Sequence, residues 1–144
     1  MSAPRIAEAA SDAELAACFP VMRQLRPHLT DAAEFIRRVR RQAAEGFRVL
    51  ALWQGDTVVA CAGYRLTENL HRGRHMYVDD LVTRSDDRSK GFGKLLFDWL
   101  VAQARAHGCA VFSLDSGVQR FDAHRFYLVN RMKIDSHHFA LRLS

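Results

Sequence analysis

The sequence predicts an α/β fold with a mixed, mostly antiparallel sheet, and three observations support this. Two β-branched, apolar runs at 47–53 and 57–66 flank a short Gly-containing turn, which is typical of an antiparallel hairpin. A strand at 75–83 leads through a Gly-rich turn into a long amphipathic helix and then into a buried strand at 109–115, the order of a βαβ unit. Two further helical patterns precede the hairpin, and neither a repeat nor a linker divides the chain.

Length and composition agree with one soluble domain. The chain has 144 residues, of which 49% are hydrophobic and 26% charged, and this is enough to close a sizeable core. No apolar segment approaches the roughly 20 residues that a membrane span needs. The first ten residues have no pattern of a secretory signal or transit peptide. We therefore expect residues 1–144 to form one cytoplasmic domain that does not bind a membrane.

The cysteines and histidines do not predict a metal site. Cys18, Cys61 and Cys109 lie far apart in apolar surroundings, without the spacing of metal ligands. The seven histidines also lack a second metal-binding group at ligand spacing. We expect reduced core thiols and no bound metal.

The first half of the chain is predicted to hold a strand, two helices and the hairpin. Residues 5–10 form a short strand, and Ser11 is the N-cap of a helix over 12–26. Asp31 begins a second helix with apolar residues along one face. Gly63, inside the second hairpin strand, is typical of a β-bulge.

The second half of the chain contains the strongest helical pattern. Its predicted elements, in chain order, are a loop at 69–74, the strand at 75–83, a helix over 89–107 ended by Gly108, the strand at 109–115, a short helix over 121–130 and a final strand over 136–143. The exposed last strand could pair between subunits, so a monomer and a homodimer both stay open.

The net charge of +5 is compatible with a nucleic-acid partner, but its distribution favours another interpretation. Four arginines lie on the second predicted helix among acidic residues, which is typical of a solvated face: Arg37, Arg38, Arg40 and Arg41. Aromatic residues are not interleaved with them, as a base-stacking surface requires. We expect no nucleic-acid partner, and attraction of an anionic cofactor accounts for the charge equally well.

The stretch RSKGFGKLL, residues 88–96, has the composition of an anion site. Gly91 and Gly93 allow close approach of the main chain, and a first helical turn presents unpaired N–H groups at its positive dipole end. The P-loop pattern fails because Arg88 and Leu95 stand where it needs Gly and Ser or Thr. A dinucleotide-binding fingerprint lacks its third Gly. The stretch therefore predicts a phosphate site of another kind.

The R-x-x-G-x-G spacing of RSKGFG resembles the loop with which the GNAT superfamily of N-acetyltransferases holds the pyrophosphate of acetyl-coenzyme A. The resemblance continues at Ala123 and the pair Phe126-Tyr127, which match the A-x-x-x-Y pattern of the family's next helix. It covers the chain specifically from about residue 77 onward, whereas the first half matches only in the order of its elements.

The resemblance implies a three-layer α/β fold of roughly six or seven strands and about four helices, splayed between the fourth and fifth strands where acetyl-coenzyme A enters. It implies an acetyl-coenzyme A-dependent enzyme that acetylates a primary amine by direct attack in a ternary complex, since no cysteine lies within the motifs. A small amine is favoured because nothing in the sequence marks a long peptide groove. A non-catalytic acyl-coenzyme A sensor and acetylation of a protein or peptide amine stay open.

The resemblance also assigns residues to the coenzyme. The backbone of Leu81, Val82 and Thr83 would pair with the pantetheine arm and orient the thioester. Backbone N–H groups and three cations would hold the diphosphate, in the segment Arg88, Ser89, Lys90, Gly91, Phe92, Gly93 and Lys94. Ser116, just after the next strand, is a further candidate for lining the same groove.

Tyr127 occupies the family's proton-donor position. A tyrosine with a pKa of about 10 stays protonated at neutral pH and can protonate a thiolate whose conjugate pKa is about 8.5. The alternative is an interfacial aromatic with its hydroxyl in water.

Asp79 and Asp80 are the candidate bases that would deprotonate the amine. They are adjacent on a strand, so their side chains should point to opposite faces and only one should face the cleft. Alternation places Asp79 on the face of Tyr77 and Leu81, which favours Asp79 and leaves Asp80 as the other candidate. Both carboxylates could instead only hold neighbouring arginines in ion pairs.

Two positions depart from the family pattern. Arg120 stands where many members have an Asn that contacts the coenzyme, which puts that contact in doubt. Arg131-Met132 stands where the helix usually ends in a Gly-aromatic pair, so Asn130 is expected to supply the left-handed cap.

Overall fold

A computed structural model describes residues 3–144. The elements in chain order are β1 (Arg5–Glu8), α1 (Asp12–Leu25), α2 (Ala32–Ala43), β2 (Phe47–Gln54), β3 (Thr57–Asn69), β4 (Gly73–Thr83), a 3-10 turn (Ser85–Asp87), α3 (Phe92–Ala106), β5 (Val111–Leu114) and α4 (Phe121–Val129). The strands form one five-stranded sheet in the order β1-β2-β3-β4-β5. This confirms the α/β class, with five strands in the described part of the chain where about six or seven were expected.

The chain divides into two compact units, one ending at Ser113 and one running from Leu114 to Ser144. The first unit contains almost the whole sheet with α1, α2 and α3, and the second contains α4 and the C-terminal residues. The single domain over 1–144 stays a prediction.

Side-chain caps begin the first two helices where the sequence predicts them. The Glu14 N–H donates to Ser11 Oγ at 3.1 Å and the Ser11 N–H donates to Glu14 Oε1 at 2.9 Å, which is a capping box. The Glu34 N–H donates to Asp31 Oδ1 at 2.8 Å. These local signals place the starts of α1 and α2 correctly.

Strands β1 to β4 are antiparallel, and the predicted bulge at Gly63 is confirmed. The register shifts between Gly63 and Tyr64, which leaves Asp79 as the extra residue of β4. A Cβ at Gly63 would lie 2.5 Å from both Asp80 Oδ2 and a ring carbon of Phe47. Glycine is therefore required at the point where these two side chains close over the backbone.

β5 lies beside β4 at the edge of the sheet. The Ala110 N–H donates to the Arg74 carbonyl at 2.8 Å, which joins the starts of the two strands. Strands that start at the same edge and are linked by a helix run parallel. β5 has 4 residues and β4 has 11, so β4 continues past its neighbour, and the splay between these two strands stays a prediction.

The core of the first unit has helices on both faces of the sheet. One cluster packs α1 and α2 against one sheet face and includes Leu15, Phe35, Val49 and Ala51. Leu50 lies between Val49 and Ala51 in β2, so its side chain points to the opposite face of the sheet. Leu50 is also fully buried, and α3 packs on that face. Burial on both faces gives the three-layer arrangement.

The prediction of a final strand over 136–143 is wrong. Residues 131–144 form neither helix nor strand, and Phe139, Leu141 and Leu143 are exposed. A strand needs a neighbouring strand to bond its backbone groups, and among residues 3–144 this segment has none. An alternating pattern alone did not determine the structure.

The loop expected over 69–74 is shorter than predicted, because β3 continues to Asn69 and β4 begins at Gly73. The Arg72 N–H donates to Asn69 Oδ1 at 2.6 Å and closes a tight turn.

The left-handed cap of α4 is Arg131, at φ +71°, whereas Asn130 has φ −88° and is the C-cap. The expectation for Asn130 is therefore wrong by one position, because α4 ends at Val129. The Arg131 N–H donates to the Leu128 carbonyl at 3.0 Å and the Met132 N–H to the Tyr127 carbonyl at 3.1 Å. This is a Schellman motif with a non-glycine residue in the left-handed position.

Candidate active site

The N-terminal turn of α3 has no side-chain cap. Its N-cap is Gly91, whereas Ser11 and Asp31 cap α1 and α2 with oxygen atoms. The helix begins at Phe92 and not at 89 as predicted, because Ser89 and Gly91 take left-handed φ angles of +69° and +85°. The first N–H groups of α3 therefore lack the side-chain acceptor that α1 and α2 carry. Such a turn presents N–H groups and the positive helix dipole to an anion.

A buried carboxylate fixes the approach to this turn. Asp87 is 6% exposed, and its carboxylate accepts from Arg84 Nε at 2.5 Å and from Lys90 Nζ at 2.9 Å. The Arg84 and Lys90 contacts hold the pKa of Asp87 below its ordinary value. Asp87 is therefore ionised at neutral pH and joins the 3-10 turn to the Gly-rich turn.

The three predicted cations differ in their pairing. Lys90 binds Asp87, and Lys94 Nζ binds Asp98 Oδ1 at 2.8 Å. Arg88 forms no ion pair within residues 3–144 and is exposed. Arg88 is thus the cation of the turn that is most available to an external anion.

The carboxyl end of β4 leads directly to the turn. Leu81, Val82 and Thr83 pair on one side with Ala62, Cys61 and Ala60 of β3. The Arg84 N–H extends the ladder by donating to the Val59 carbonyl at 2.8 Å. Pairing of the end of β4 with β3 therefore fixes the position of the turn.

A cavity of about 340 Å³ lies between α1, α2 and the sheet. Its lining comprises Met22, Arg26, His28, Leu29, Phe35, Arg38, Val39, Gln42, Phe47, Tyr77, Asp79 and Asp80. Asp79 and Asp80 both line it, so the expectation that only one of them could face the cleft is wrong. The bulge explains the difference, because an extra residue in β4 breaks the strict alternation of its side chains.

Both carboxylates form the ion pairs that the sequence left as an alternative. Asp79 receives hydrogen bonds from Arg65 at 3.0 and 3.1 Å. Asp80 Oδ1 accepts from Arg26 Nε at 2.7 Å, and Arg26 Nη2 also donates to the Asp79 carbonyl at 2.8 Å.

The two carboxylates differ in their surroundings. The Asp80 side chain is 12% exposed and that of Asp79 is 23% exposed. Burial raises the pKa of Asp80, and the Arg26 contact opposes this effect in part. Asp80 therefore holds its proton more strongly than an ordinary aspartic acid.

Tyr127 lies on α4 in the C-terminal unit. Burial raises the pKa of its hydroxyl, while the neighbouring Arg120 guanidinium opposes the shift. The residue that departs from the family pattern thus contacts the candidate proton donor.

Ser116 belongs to the same unit as Tyr127. Its Oγ is buried and has no hydrogen-bond partner within residues 3–144. A buried hydroxyl without a partner can take one from a bound molecule.

The sequence missed several residues of the cavity. Arg38 and Gln42 follow Phe35 at helical spacings that place all three on one face of α2. That spacing could have identified them. Arg26 and Arg65 gave no local signal, because their acidic partners are 54 and 14 residues away in the sequence.

Within residues 3–144, no group of three or more His, Cys, Asp or Glu side chains could hold a metal ion. Over the same residues, none of the helices is both long and apolar enough to span a membrane.

Comparison with known proteins shows the family to which this chain belongs. The model of the acetyltransferase (GNAT) family matches residues 12–129. The chain is 38% identical over 118 residues to the uncharacterized N-acetyltransferase YhdJ of Bacillus subtilis, covering 81% of this chain and 82% of the relative. The chain therefore belongs to the acetyltransferase (GNAT) family and is an acetyl-coenzyme A-dependent N-acetyltransferase.

Two further similarities have lower sequence identity. The chain is 32% identical over 80 residues to an aminoalkylphosphonate N-acetyltransferase of Salmonella typhimurium, and this covers 55% of the chain and about half (51%) of the relative. The crystal structure of a ribosomal-protein-alanine N-acetyltransferase from Brucella melitensis matches with a TM-score of 0.82 at 18% identity, over 99% of this chain and 100% of that one. At that identity the structural match shows the fold alone.

Proposed function

We propose that this enzyme transfers the acetyl group of acetyl-coenzyme A to the primary amine of a small molecule by direct attack in a ternary complex. The observation that carries the proposal is that β4 connects two complementary sites. Asp79 and Asp80 line the cavity, and the same strand continues through Thr83 towards the uncapped turn at Arg88–Lys94. One site suits an ammonium group and the other a diphosphate.

The turn has the features that a diphosphate needs. The backbone N–H groups from Ser89 to Lys94 would donate to it, and Arg88 would supply a cation. The absence of a side-chain cap at Gly91 supports this assignment, since a cap would occupy the same donors. The coenzyme supplies the acetyl thioester and a thiol leaving group. Leu81, Val82 and Thr83 would orient the thioester arm through their backbone, and the unpartnered hydroxyl of Ser116 is a further donor.

The cavity has the features that an amine needs. An alkylammonium has a pKa of about 10.4 and must lose its proton before it can attack a carbonyl carbon. We assign this step to Asp80, because burial raises its pKa and makes it a better proton acceptor than an ordinary carboxylate. Asp79 is held by Arg65 through both of its oxygens and serves to position and attract the ammonium group. This assignment reverses the preference for Asp79 that the strand alternation favoured.

Tyr127 would protonate the departing thiolate. Its raised pKa keeps the hydroxyl protonated at neutral pH, which is the state that a proton donor requires. The support for this role is the match to the family's A-x-x-x-Y pattern together with the Arg120 contact.

The volume of the cavity favours a small acceptor. Small-molecule sites commonly span about 300–1,000 Å³, and a cavity of about 340 Å³ lies at the lower end of that range. The relative that acetylates aminoalkylphosphonates also acts on a small amine by its name, and this supports the same class of acceptor here.

Release of free thiol from acetyl-coenzyme A, measured over a panel of amines, tests the proposal. We expect turnover on at least one small amine, and Tyr127→Phe should lower kcat by about 10-fold or more while coenzyme affinity is kept. The matched control is Tyr64→Phe, since Tyr64 packs against Trp99 of α3 and donates to Glu8 at 2.6 Å away from the cavity. Tyr64→Phe should keep kcat.

Two other results would contradict the proposal. Coenzyme binding without turnover on any amine would favour the acyl-coenzyme A sensor. Turnover on peptides with none on small amines would favour a protein acceptor.

A further inference from the structure

One arginine of the cavity lining has no carboxylate partner in the described part of the chain. The two carboxylates are each matched by a guanidinium, Asp79 by Arg65 at 3.0 Å and Asp80 by Arg26 at 2.7 Å. The cavity lining contains one more cation, Arg38 of α2. Within residues 3–144, the Arg38 guanidinium forms no ion pair and no hydrogen bond. Because Arg65, outside the lining, pairs with Asp79 and Arg26 pairs with Asp80, Arg38 is left without a carboxylate partner among these residues.

Packing fixes Arg38 on the wall of the cavity. Phe35 and Val39 lie on the same face of α2 and are 4% and 7% exposed, so they hold this face against the sheet. Gln42, one turn further on, accepts from Arg65 Nη2 at 2.5 Å. The face of α2 that presents Arg38 is therefore tied to the Arg65 partner of Asp79.

The other arginines of α2 do not share this position. Arg40 binds Asp12 at 2.6 Å, and Arg37 and Arg41 do not line the cavity. All four arginines are exposed, as the solvated-face interpretation predicts, and Arg38 differs from the other three in that it also lines the cavity.

His28 adds a second donor to the same region. It lies in the connection between α1 and α2 and lines the cavity with Arg38. An arginine guanidinium presents parallel N–H donors that fit a carboxylate or a phosphate, and an imidazole can add another. The helical wall of the cavity thus suits an anion, whereas the β4 wall suits a cation.

We propose that the acceptor is an amine that also carries an anionic group, a carboxylate or a phosphate, with its ammonium group towards Asp79 and Asp80 and its anion on Arg38 and His28. This inference rests on the proposed acetyltransferase function and narrows its acceptor class. A diamine or polyamine of similar length would instead place a second ammonium group beside Arg38, where like charges repel.

The test compares amines that share a carbon chain within each set and differ in the charge of the group at the far end. The first set is β-alanine, propylamine and 1,3-diaminopropane, and the second is 2-aminoethyl phosphate and ethanolamine. We expect kcat/KM for the anionic member of each set to exceed that of the neutral member by about 10-fold or more, and 1,3-diaminopropane to be the poorest. The two sets separate a carboxylate from a phosphate preference.

Substitutions in α2 test whether Arg38 causes the preference for anionic amines. Arg38→Gln should raise KM for the anionic amines about 10-fold or more, with kcat and the neutral amines little changed. Arg38→Glu should shift the preference towards 1,3-diaminopropane. Arg37→Gln is the matched control, since it removes the same charge one residue away and outside the cavity, and it should leave all rates unchanged. Calorimetric titration of β-alanine and of 2-aminoethyl phosphate into each variant gives a readout that does not depend on turnover.

The outcomes separate this inference from the proposed function. Equal turnover of the anionic, neutral and cationic amines, or the highest turnover with 1,3-diaminopropane, would overturn the inference. The protein would then be an acetyltransferase with another class of acceptor. An equal effect of Arg38→Gln and Arg37→Gln would also overturn it. No turnover on any amine would overturn the proposed function, and absence of calorimetric binding of both anionic amines would then overturn the inference as well.

Discussion

At Gly63 a single missing Cβ determines the shape of the acceptor site. A methyl group there would lie 2.5 Å from Asp80 Oδ2 and from the Phe47 ring, and both of these residues line the cavity. The bulge at the same point brings Asp79 and Asp80 to one cavity. The bulge in β4 and the close contact with Asp80 therefore both lie at Gly63.

Gly63→Ala is expected to lower the free energy of unfolding by about 1–3 kcal/mol, because the added carbon overpacks a site that has no room. It should also lower kcat/KM by displacing Asp80. Urea denaturation and thiol release measure the two effects.

Gly55→Ala is the control, since Gly55 also has a positive φ of +62° but a Cβ there meets no atom within 4 Å. It should cost about 1–2 kcal/mol of conformational strain and leave kcat/KM unchanged. If Gly63→Ala kept full activity, the bulge would not position the candidate base.

Single residues also show why part of the site is predictable from the sequence. Ser11, Asp31 and Gly108 act through neighbours within a few positions, so their roles follow from local pattern. The faces of Asp79 and Asp80 do not follow from alternation, because a bulge formed by pairing with another strand decides them. Arg131 takes the left-handed position because Asn130 is the C-cap of α4, and the left-handed residue of a Schellman motif is the one that follows the C-cap.

Among the elements, α3 is preceded by a segment that an ion-pair network holds in place. Asp87 joins Arg84 and Lys90 and thereby fixes the segment that carries Ser89 and Gly91. The turn should therefore lose its shape when Asp87 loses its charge.

Asp87→Asn is expected to lower the free energy of unfolding at pH 7 and to weaken acetyl-coenzyme A binding by about 10-fold. The pKa of Asp87 in the folded chain is lowered below its ordinary value of 3.8 by Arg84 and Lys90. Its stabilising effect is therefore complete above the ordinary value and is lost as the pH falls through the lowered one. The stability difference between the two proteins should shrink below pH 3.8.

Asp98→Asn is the matched control, because Asp98 pairs with Lys94 of the same helix on an exposed surface. It should change the free energy of unfolding by no more than about 0.5 kcal/mol. Thermal unfolding at several pH values and coenzyme titration distinguish the two variants. Equal effects would mean that the turn does not depend on the buried carboxylate.

The C-terminal segment shows the limit of element prediction from pattern. Phe139, Leu141 and Leu143 alternate with smaller or polar residues, as in a half-buried strand. Backbone pairing decides whether such a pattern becomes a strand, and pairing involves distant residues. The hairpin of β2 and β3 was predictable because its two strands are neighbours in the chain.

At the scale of the whole molecule, the two candidate half-sites differ in how far the sequence predicts them. The coenzyme turn is a continuous stretch, so the spacing of Arg88, Gly91 and Gly93 is enough to indicate an anion site. The acceptor cavity draws on α1, α2, β2 and β4, and its central ion pair joins Arg26 to Asp80 across 54 residues. Only the folded chain brings these residues together.

One strand of the sheet links the two candidate half-sites. β4 provides the carboxylates in its middle and the approach to the coenzyme turn at its end. Because antiparallel pairing with β3 fixes both points, the distance between them is set by the strand and not by a flexible loop.

The most direct test of the central claim is calorimetric titration of the protein with acetyl-coenzyme A, S-acetyl-dephospho-coenzyme A and S-acetylpantetheine. If the turn at the start of α3 holds the diphosphate, the first two ligands, which both contain it, should bind with affinities within about 10-fold of each other. S-acetylpantetheine lacks the diphosphate and should bind about 100-fold more weakly or worse. Equal binding of all three ligands, or no binding of acetyl-coenzyme A, would contradict the account.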